Sequence, residues 1–346
     1  MPEMLTRKER VRRALRREAV DHLPFQTNFT PAMGKILAAH FGLPPAELPF
    51  RLNNHLVRVD ISYHRPTSED GTIELDWWGA GWDTRTEGYW HALAPLATSL
   101  DLDGYPWPDP CRADLLDDAR TTIASQGTGY FLMPNLGMCL FERAWSLRGF
   151  DNVLLDMADR VEWLEDLLDR ITAIQVALAR RFVNAGVDGG YLGDDYGAQR
   201  SMLFSPRMWR RLMKPRLARI VEVFSGAGLP VILHSDGDIK AILPDLVEIG
   251  VTTLNPVQPE VLDPVWLERE YGRKLSFYGG ISTQSTLRTG GPSLVRSATL
   301  DCARSLAPSG TGLVLGPSHR IQSDIVPESV EAMLAAFREL EIGPCR

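Results

Sequence analysis

Two residue types that handle protons and metals stand two apart, His234 and Asp236, at the end of the apolar run "PVILHSD". Side chains of a strand alternate with period two, so both face the same side. A second imidazole, His319, ends another apolar run, "GLVLGPSH". Two imidazoles and a carboxylate can hold Zn2+ or Fe2+ with positions left open. The same trio can also work without metal. Asp236 would then orient His234 and set its tautomer for acid–base duty near neutral pH. The structural alternative is that Asp236 caps the helix beginning near Asp238.

Other apolar runs end in the same manner: at Gln26 and Asn28, at Asn135, at Asp194 and Asp195, at Asn255 and Gln258, at Tyr278 before Gly279-Gly280, and at Ser318. A helix cap explains any one of these endings. A ring of them implies a pocket. The elements that must position it alternate, short apolar strand then helix, at least seven times from residue 129 onward. No GxGxxG follows the first strand and no GxxxxGK[ST] occurs, so a nucleotide-binding doubly wound sheet loses its support. The expected fold is a (β/α)8 barrel over residues 1–346, with its site where the strands end.

Local signals fill in the frame. Thr6-x-x-Glu9 is a capping box, predicting a helix from Arg7 to about Arg17 whose arginines form a solvated face. "DHLPFQTN" (21–28) reads as the first strand. Ser205-Pro206 starts a helix that breaks at Pro215, and a last helix starts near Pro327. Region 40–110 carries Trp77, Trp78, Trp82, Trp90 and Trp107 and is expected to be an insertion covering one end of the fold. Within it "TIELDWWGAGWDTR" reads as a hairpin turning at Gly79 and Gly81. Gly279-Gly280 suggests backbone brought close to a ligand. Ser282, Thr283 and Gln284 then open a helix whose N-terminus would receive an anionic group. Arg320 could pair with the same acid, whereas Arg143 and Arg148 are expected in structural salt bridges.

A net charge of −7 argues against nucleic-acid and anionic-membrane partners, which need a basic footprint. With 44% hydrophobic and 23% charged residues, the 346-residue chain can build a large core. Cys111, Cys139, Cys302 and Cys345 show no CxxC spacing, against a disulfide framework or a four-thiolate zinc site. The first residues lack a signal-type apolar core and no stretch reaches spanning length, so a cytoplasmic setting is expected.

The segments "RKERVRRALRREAVDHLP", "FERAWSLRGFDNVLLDM", "GDDYGAQRSMLFSPRMWRRLMKPRLARI", "HSDGDIKAILPDLVEIGVTTLNPVQP", "KLSFYGGISTQSTL" and "GPSHRIQSDIVPESVEAM" together resemble the uroporphyrinogen decarboxylase superfamily. The resemblance implies a (β/α)8 barrel. One branch decarboxylates the acetate groups of uroporphyrinogen without cofactor. Its arginine-rich pattern, close to RxPVWxMRQAGR, has no counterpart in "DHLPFQTNFTPAMGKIL". Another branch moves methyl groups between a corrinoid protein and a thiol such as coenzyme M, with zinc on His-x-Cys and a later Cys. Here the first motif reads His234-Ser235-Asp236, and the later position, nine residues before Glu328, is His319. Both thiolates are replaced, which favours a harder N/O site and an oxygen-containing ligand.

The resemblance is closest to corrinoid-linked methyltransferase and demethylase-like members. It implies methyl transfer between a corrinoid and a small acceptor or donor, such as tetrahydrofolate or a methylated metabolite. The corrinoid would sit on a separate protein, since no DxHxxG motif is present. His234, Asp195 and His319 would be catalytic. His234, Asp236 and His319 would hold any Zn or Fe. Asn28, Asn135, Asp194, Gln199, Asn255, Gln258, Tyr278, Gly280 and Ser318 would line the substrate site. Homodimers are common among such relatives. One rival is cofactor-independent decarboxylation of a small acid, with Asp195 stabilising a protonated intermediate. The other is a non-catalytic small-molecule-binding barrel, with His234, Asp236 and His319 pointing apart.

Overall fold

The computed structural model describes residues 4–88 and 90–342; Cys345 lies outside them. The strands are β1 (Leu56–Val59), β2 (Ile73–Leu75), β3 (Gly81–Asp83), β4 (Trp90–Leu93), β5 (Phe131–Pro134), β6 (Gly190–Gly193), β7 (Val231–His234), β8 (Thr253–Val257), β9 (Ser276–Ile281) and β10 (Leu313–Pro317). β6 to β10 form one parallel sheet in chain order, and β1 pairs in parallel with β5. Backbone bonds join the two pieces. The Asp188 amide donates to the Leu132 carbonyl, and Leu136 bridges Leu192. The expected first strand is an extended segment held by bridges at Phe25 and Phe29 rather than a full ladder. It still closes the ring: the Gln26 amide donates to Leu315, and the His55 amide donates to Phe25. The fold is a (β/α)8 barrel.

The strands read as unbroken apolar runs because both faces are covered. Leu56, Phe131, Met133, Tyr191, Ile232, Tyr278 and Val314 fill the interior with Val11 and Leu15. Leu132, Leu192, Leu233, Leu254, Phe277 and Leu315 pack outward in the main core. Val11 and Leu15 belong to the helix Arg7–Leu15, which lies under the strand starts and closes the floor. Thr6 caps it through the Glu9 amide, as the capping box predicts. Its arginines are not one solvated face, however. Arg10 is buried, pairs with Asp21 at 2.7 Å, and donates to the His55 ring at 3.0 Å. With the floor plugged, only the ends of the strands can open to solvent.

Region 40–110 contains β1, a barrel strand, so the part standing outside the ring is shorter than expected. It holds a three-stranded antiparallel meander, β2-β3-β4. Gly79, at φ 82°, sits in the predicted turn, but Gly81 belongs to β3, where a Cβ would meet that of Leu93 at 2.6 Å. Asp76 organises the turn by accepting from the Trp78 and Ala80 amides, and Arg143 ties it to the barrel through an ion pair with Asp76. Arg148 likewise pairs with Asp156, so both arginines are structural, as expected. The helix begun by Ser205 and Pro206 stops at Leu212 and resumes at Lys214, where Pro215 lies in the new first turn. Among the described residues no helix is long and apolar enough to cross a membrane.

Candidate functional site

His234 is the last residue of β7. Ile232 faces the interior, so period two turns His234 inward, one layer nearer the mouth. Its ring is held from the neighbouring strand: Nδ1 lies 2.7 Å from Asn255 Oδ1. Asn255 Nδ2 donates to the Tyr278 carbonyl at 3.0 Å, which fixes the amide's orientation, since a carbonyl only accepts. Tyr191 Oη also donates to Asn255 Oδ1, at 3.1 Å. His234 Nδ1 must therefore carry the proton, and Nε2 presents a lone pair. The residue that sets this tautomer is Asn255, not Asp236 as expected.

Asp236 turns toward His319 instead: Oδ2 is 3.6 Å from His319 Nε2. The cap near this turn comes from Asp238, which accepts from the Lys240 amide at 3.1 Å. Ligand atoms of His234, Asp236 and His319 all lie within 4.8 Å of one another. Ligands about 2.0–2.2 Å from a tetrahedral ion stand roughly 3.3–3.6 Å apart, so modest side-chain rotation brings the trio to that spacing. Burial lowers the pKa of His319 while Asp236 pulls it back, so the net shift favours the neutral ring, whose lone pair suits a ligand role. These three side chains converge, whereas a non-catalytic barrel was expected to splay them.

A second group of acids adjoins the trio. Asp195 Oδ1 lies 3.9 Å from His234 Nε2 and accepts from the Asp236 amide at 2.8 Å. Burial, reinforced by the Asp236 charge, pushes Asp195 up to about 6. Glu142 stands in the first turn of the helix Phe141–Arg148. Burial first, then Asp195 and Asp194, raises its carboxyl well above the usual carboxylate range, and the Asp195 amide bonds to it.

The other expected residues divide. Gln199, Gln258 and Ser318 line, with Asp236 and His319, a cleft of ≈ 280 Å³ at the strand ends. Gln258 Nε2 donates to Gln199, and its Oε1 accepts from the Gly237 amide. Asn28 donates to Tyr278 Oη at 2.7 Å inside the barrel, and exposed Asn135 donates to Asp60 at 2.8 Å. Asp194 is fully buried, and its two oxygens take the Phe141 and Glu142 amides at 2.9 and 2.7 Å. It caps a helix.

Gly280 turns toward the outer layer. A Cβ there would meet Cys302 Sγ at 2.5 Å, so the close approach is to the helix Gly291–Leu306, not to a ligand. The expected anion site after it also fails. The helix there is only Thr286–Thr289, the Thr283 amide is bonded to Ser318 Oγ, and Ser282 donates to the Glu260 carboxylate.

A sequence profile of uroporphyrinogen decarboxylase (URO-D) matches residues 140–340, more than half of the chain. The chain belongs to the uroporphyrinogen decarboxylase family. Family membership agrees with the barrel and makes the protein an enzyme by kinship. A methyltransferase from Methanosarcina mazei has the same fold, with a TM-score of 0.72 at 22% identity over 97% of this chain and 99% of that one. A B12-independent methionine synthase from Shewanella sp. W3-18-1 aligns with a TM-score of 0.46 at 13% identity, over 66% and 65% of the two chains. No curated protein sequence matches significantly.

Three residues escaped the reading of strand ends in this family member: Arg58, Asp60 and Glu142. Arg58 and Asp60 belong to "LVRVD", where a charged residue inside the strand hides the apolar run. Period two from Leu56 would have placed Arg58 inward. Glu142 had no sequence signal of its own, because a glutamate in a helical first turn is commonplace.

Proposed function

We propose that this family member is a methyltransferase, moving a methyl group between a corrinoid on a separate protein and a small donor or acceptor such as tetrahydrofolate or a methylated metabolite. The observation that carries the reading is the convergence of His234, Asp236 and His319 within 4.8 Å at the open end of the barrel. Nitrogen and oxygen donors without thiolate suit Zn2+ or Fe2+ facing an oxygen- or nitrogen-bearing substrate. A divalent ion bound there would act as a Lewis acid on that heteroatom.

The protein's own groups supply the rest. Asn255 holds His234 in the tautomer that presents Nε2. Burial and the neighbouring Asp195 charge raise the proton affinity of the Glu142 carboxyl. When the bond between methyl carbon and heteroatom breaks, its electron pair stays on the heteroatom, the carbon passes to the corrinoid, and Glu142 supplies the proton the heteroatom takes up. Asp195 accepts the Asp236 amide and so steadies the turn that carries the carboxylate of the trio. A cytoplasmic setting and a homodimer complete this reading.

The test is methyl exchange between cobalamin and a panel of methylated donors and acceptors, with metal analysis of protein never exposed to chelator. Turnover that disappears in H234A and H319A supports the proposal. Absence of turnover with every donor and acceptor overturns it. Decarboxylation of a small acid is the second reading, favoured by the raised proton affinity of the Glu142 carboxyl, which would protonate a carbanion. Release of CO2 without methylated cobalamin would establish it instead.

A further inference from the structure

Buried arginines in this protein have carboxylate partners: Arg10 with Asp21, Arg143 with Asp76, Arg148 with Asp156 and Arg216 with Asp169. Arg58 departs from that pattern. It lies inside the barrel, on the same face of β1 as Leu56, with its guanidinium 3.9 Å over the centre of the Tyr191 ring. Among the described residues no carboxylate is within ion-pair distance of it. The phenol oxygens of Tyr191 and Tyr278 take part of its hydrogen-bonding capacity. Its Nε is out of contact with solvent and has no partner. Its desolvation is offset by Tyr191, Tyr278 and the Asp60 charge beyond ion-pair distance, which hold its pKa above the usual value, so it is a fixed cation that no carboxylate touches directly. The residue still keeps partial accessibility. With the floor plugged, that access comes from the mouth.

We propose that Arg58 is the seat for a carboxylate group of the substrate, a short-chain carboxylic acid whose other end reaches the His234–Asp236–His319 trio. This rests on the methyltransferase reading only for what happens at that other end. A carboxylate entering from the mouth would accept from a guanidinium Nη, since the Nε is sealed from solvent. A phosphate dianion is disfavoured because the negative charges of Asp60 and Asp236 act on the same Arg58–Tyr191 pair.

The seat is coupled to the trio. Tyr191, which stacks under Arg58, donates to Asn255, and Asn255 holds His234. The Tyr191 and His234 ring centres are 6.1 Å apart, so guanidinium and imidazole stand at most about 10 Å from each other. That gap suits a chain of a few carbons.

The experiment is calorimetric titration of the full-length protein with acetate, methoxyacetate and methoxypropionate, each paired with its neutral amide. The expected result is a preference for acid over amide of about 10–100-fold at one chain length, lost in R58M and R58Q. R58K should fall between, because it keeps the charge and loses the planar guanidinium that stacks on Tyr191. H319A should retain the preference. Equal binding of acid and amide by the wild type, or an unchanged preference in a folded R58M or R58Q, overturns the inference. If both of these variants fail to fold by circular dichroism, R58K decides alone, and affinity equal to wild type overturns it. An Arg58-dependent carboxylate preference without methyl transfer would leave this inference standing and remove the methyltransferase reading. Turnover without that preference would do the reverse.

Discussion

Acidification should undermine the barrel from its floor, through His55. The residue just before β1 is fully buried and joins three neighbouring segments: its amide donates to Phe25 and its carbonyl accepts from Phe131. Its ring is locked neutral. Nε2 faces the Arg10 guanidinium at 3.0 Å and must accept, so Nδ1 carries the proton and donates to Asn53 O at 2.8 Å. A second proton would have to enter beside a fixed cation in a buried place. Burial first, and the Arg10 charge second, accordingly lower the pKa to about 3. The unfolded chain titrates near 6.5. Between those values the unfolded state binds the extra proton and the native state does not, so stability falls as pH falls. The contribution is fully present above pH 6.5 and is lost toward pH 3, at about 1.4 kcal/mol per pH unit and about 4–5 kcal/mol in all.

Comparing wild type with H55N isolates the effect, because every other carboxylate and imidazole is common to both. Asparagine keeps an amide able to reach the Asn53 carbonyl but has no proton to take up. Urea unfolding followed by tryptophan fluorescence at pH 7, 6, 5 and 4 should show the wild type starting more stable. Its advantage should then shrink by close to one proton's slope per pH unit. Parallel pH dependences for the two proteins would refute the assignment of a neutral, pinned imidazole.

Three further outcomes follow from particular contacts. D194A removes the acceptor for two amides at the start of the helix Phe141–Arg148 and should cost about 2–3 kcal/mol by denaturant titration, with D194N less harmful. G280A places a Cβ against Cys302 Sγ at a backbone φ of 99° and should cost about 1–3 kcal/mol; C302A should recover only the steric part, leaving the backbone strain in a double-mutant cycle. N255L frees His234 Nδ1 and Tyr191 Oη, so methyl transfer should drop about 10–100-fold, with a smaller loss in N255D, and rates at saturating substrate would check it.

Much of the frame was legible because it follows from periodicity. The existence of the first helix, the alternation of elements and the ring of polar endings are local statements. Each survives folding because both faces of a barrel strand are covered. The errors come from pairwise facts that no local pattern contains. Asp194 and Asp195 are neighbours in an identical "GDD" context, yet one faces helix amides and the other the mouth. Gly279-Gly280 has the signature of a ligand cradle, but the body pressed against Gly280 is Cys302 of the following helix.

The deeper gap concerns charge. Sequence reading treats a lone arginine in a strand as a flaw in the strand, and a lone glutamate in a helix as a surface residue. Closure of the ring changes both meanings. Arg58 becomes an inward cation without a carboxylate in ion-pair contact, and Glu142 becomes an acid that holds its proton more tightly beside Asp195. A barrel that holds a guanidinium with no carboxylate in ion-pair contact, and a carboxyl of raised proton affinity beside Asp195, favours a ligand that brings negative charge. That preference constrains the substrate independently of whether the carbon that departs is a methyl group or CO2.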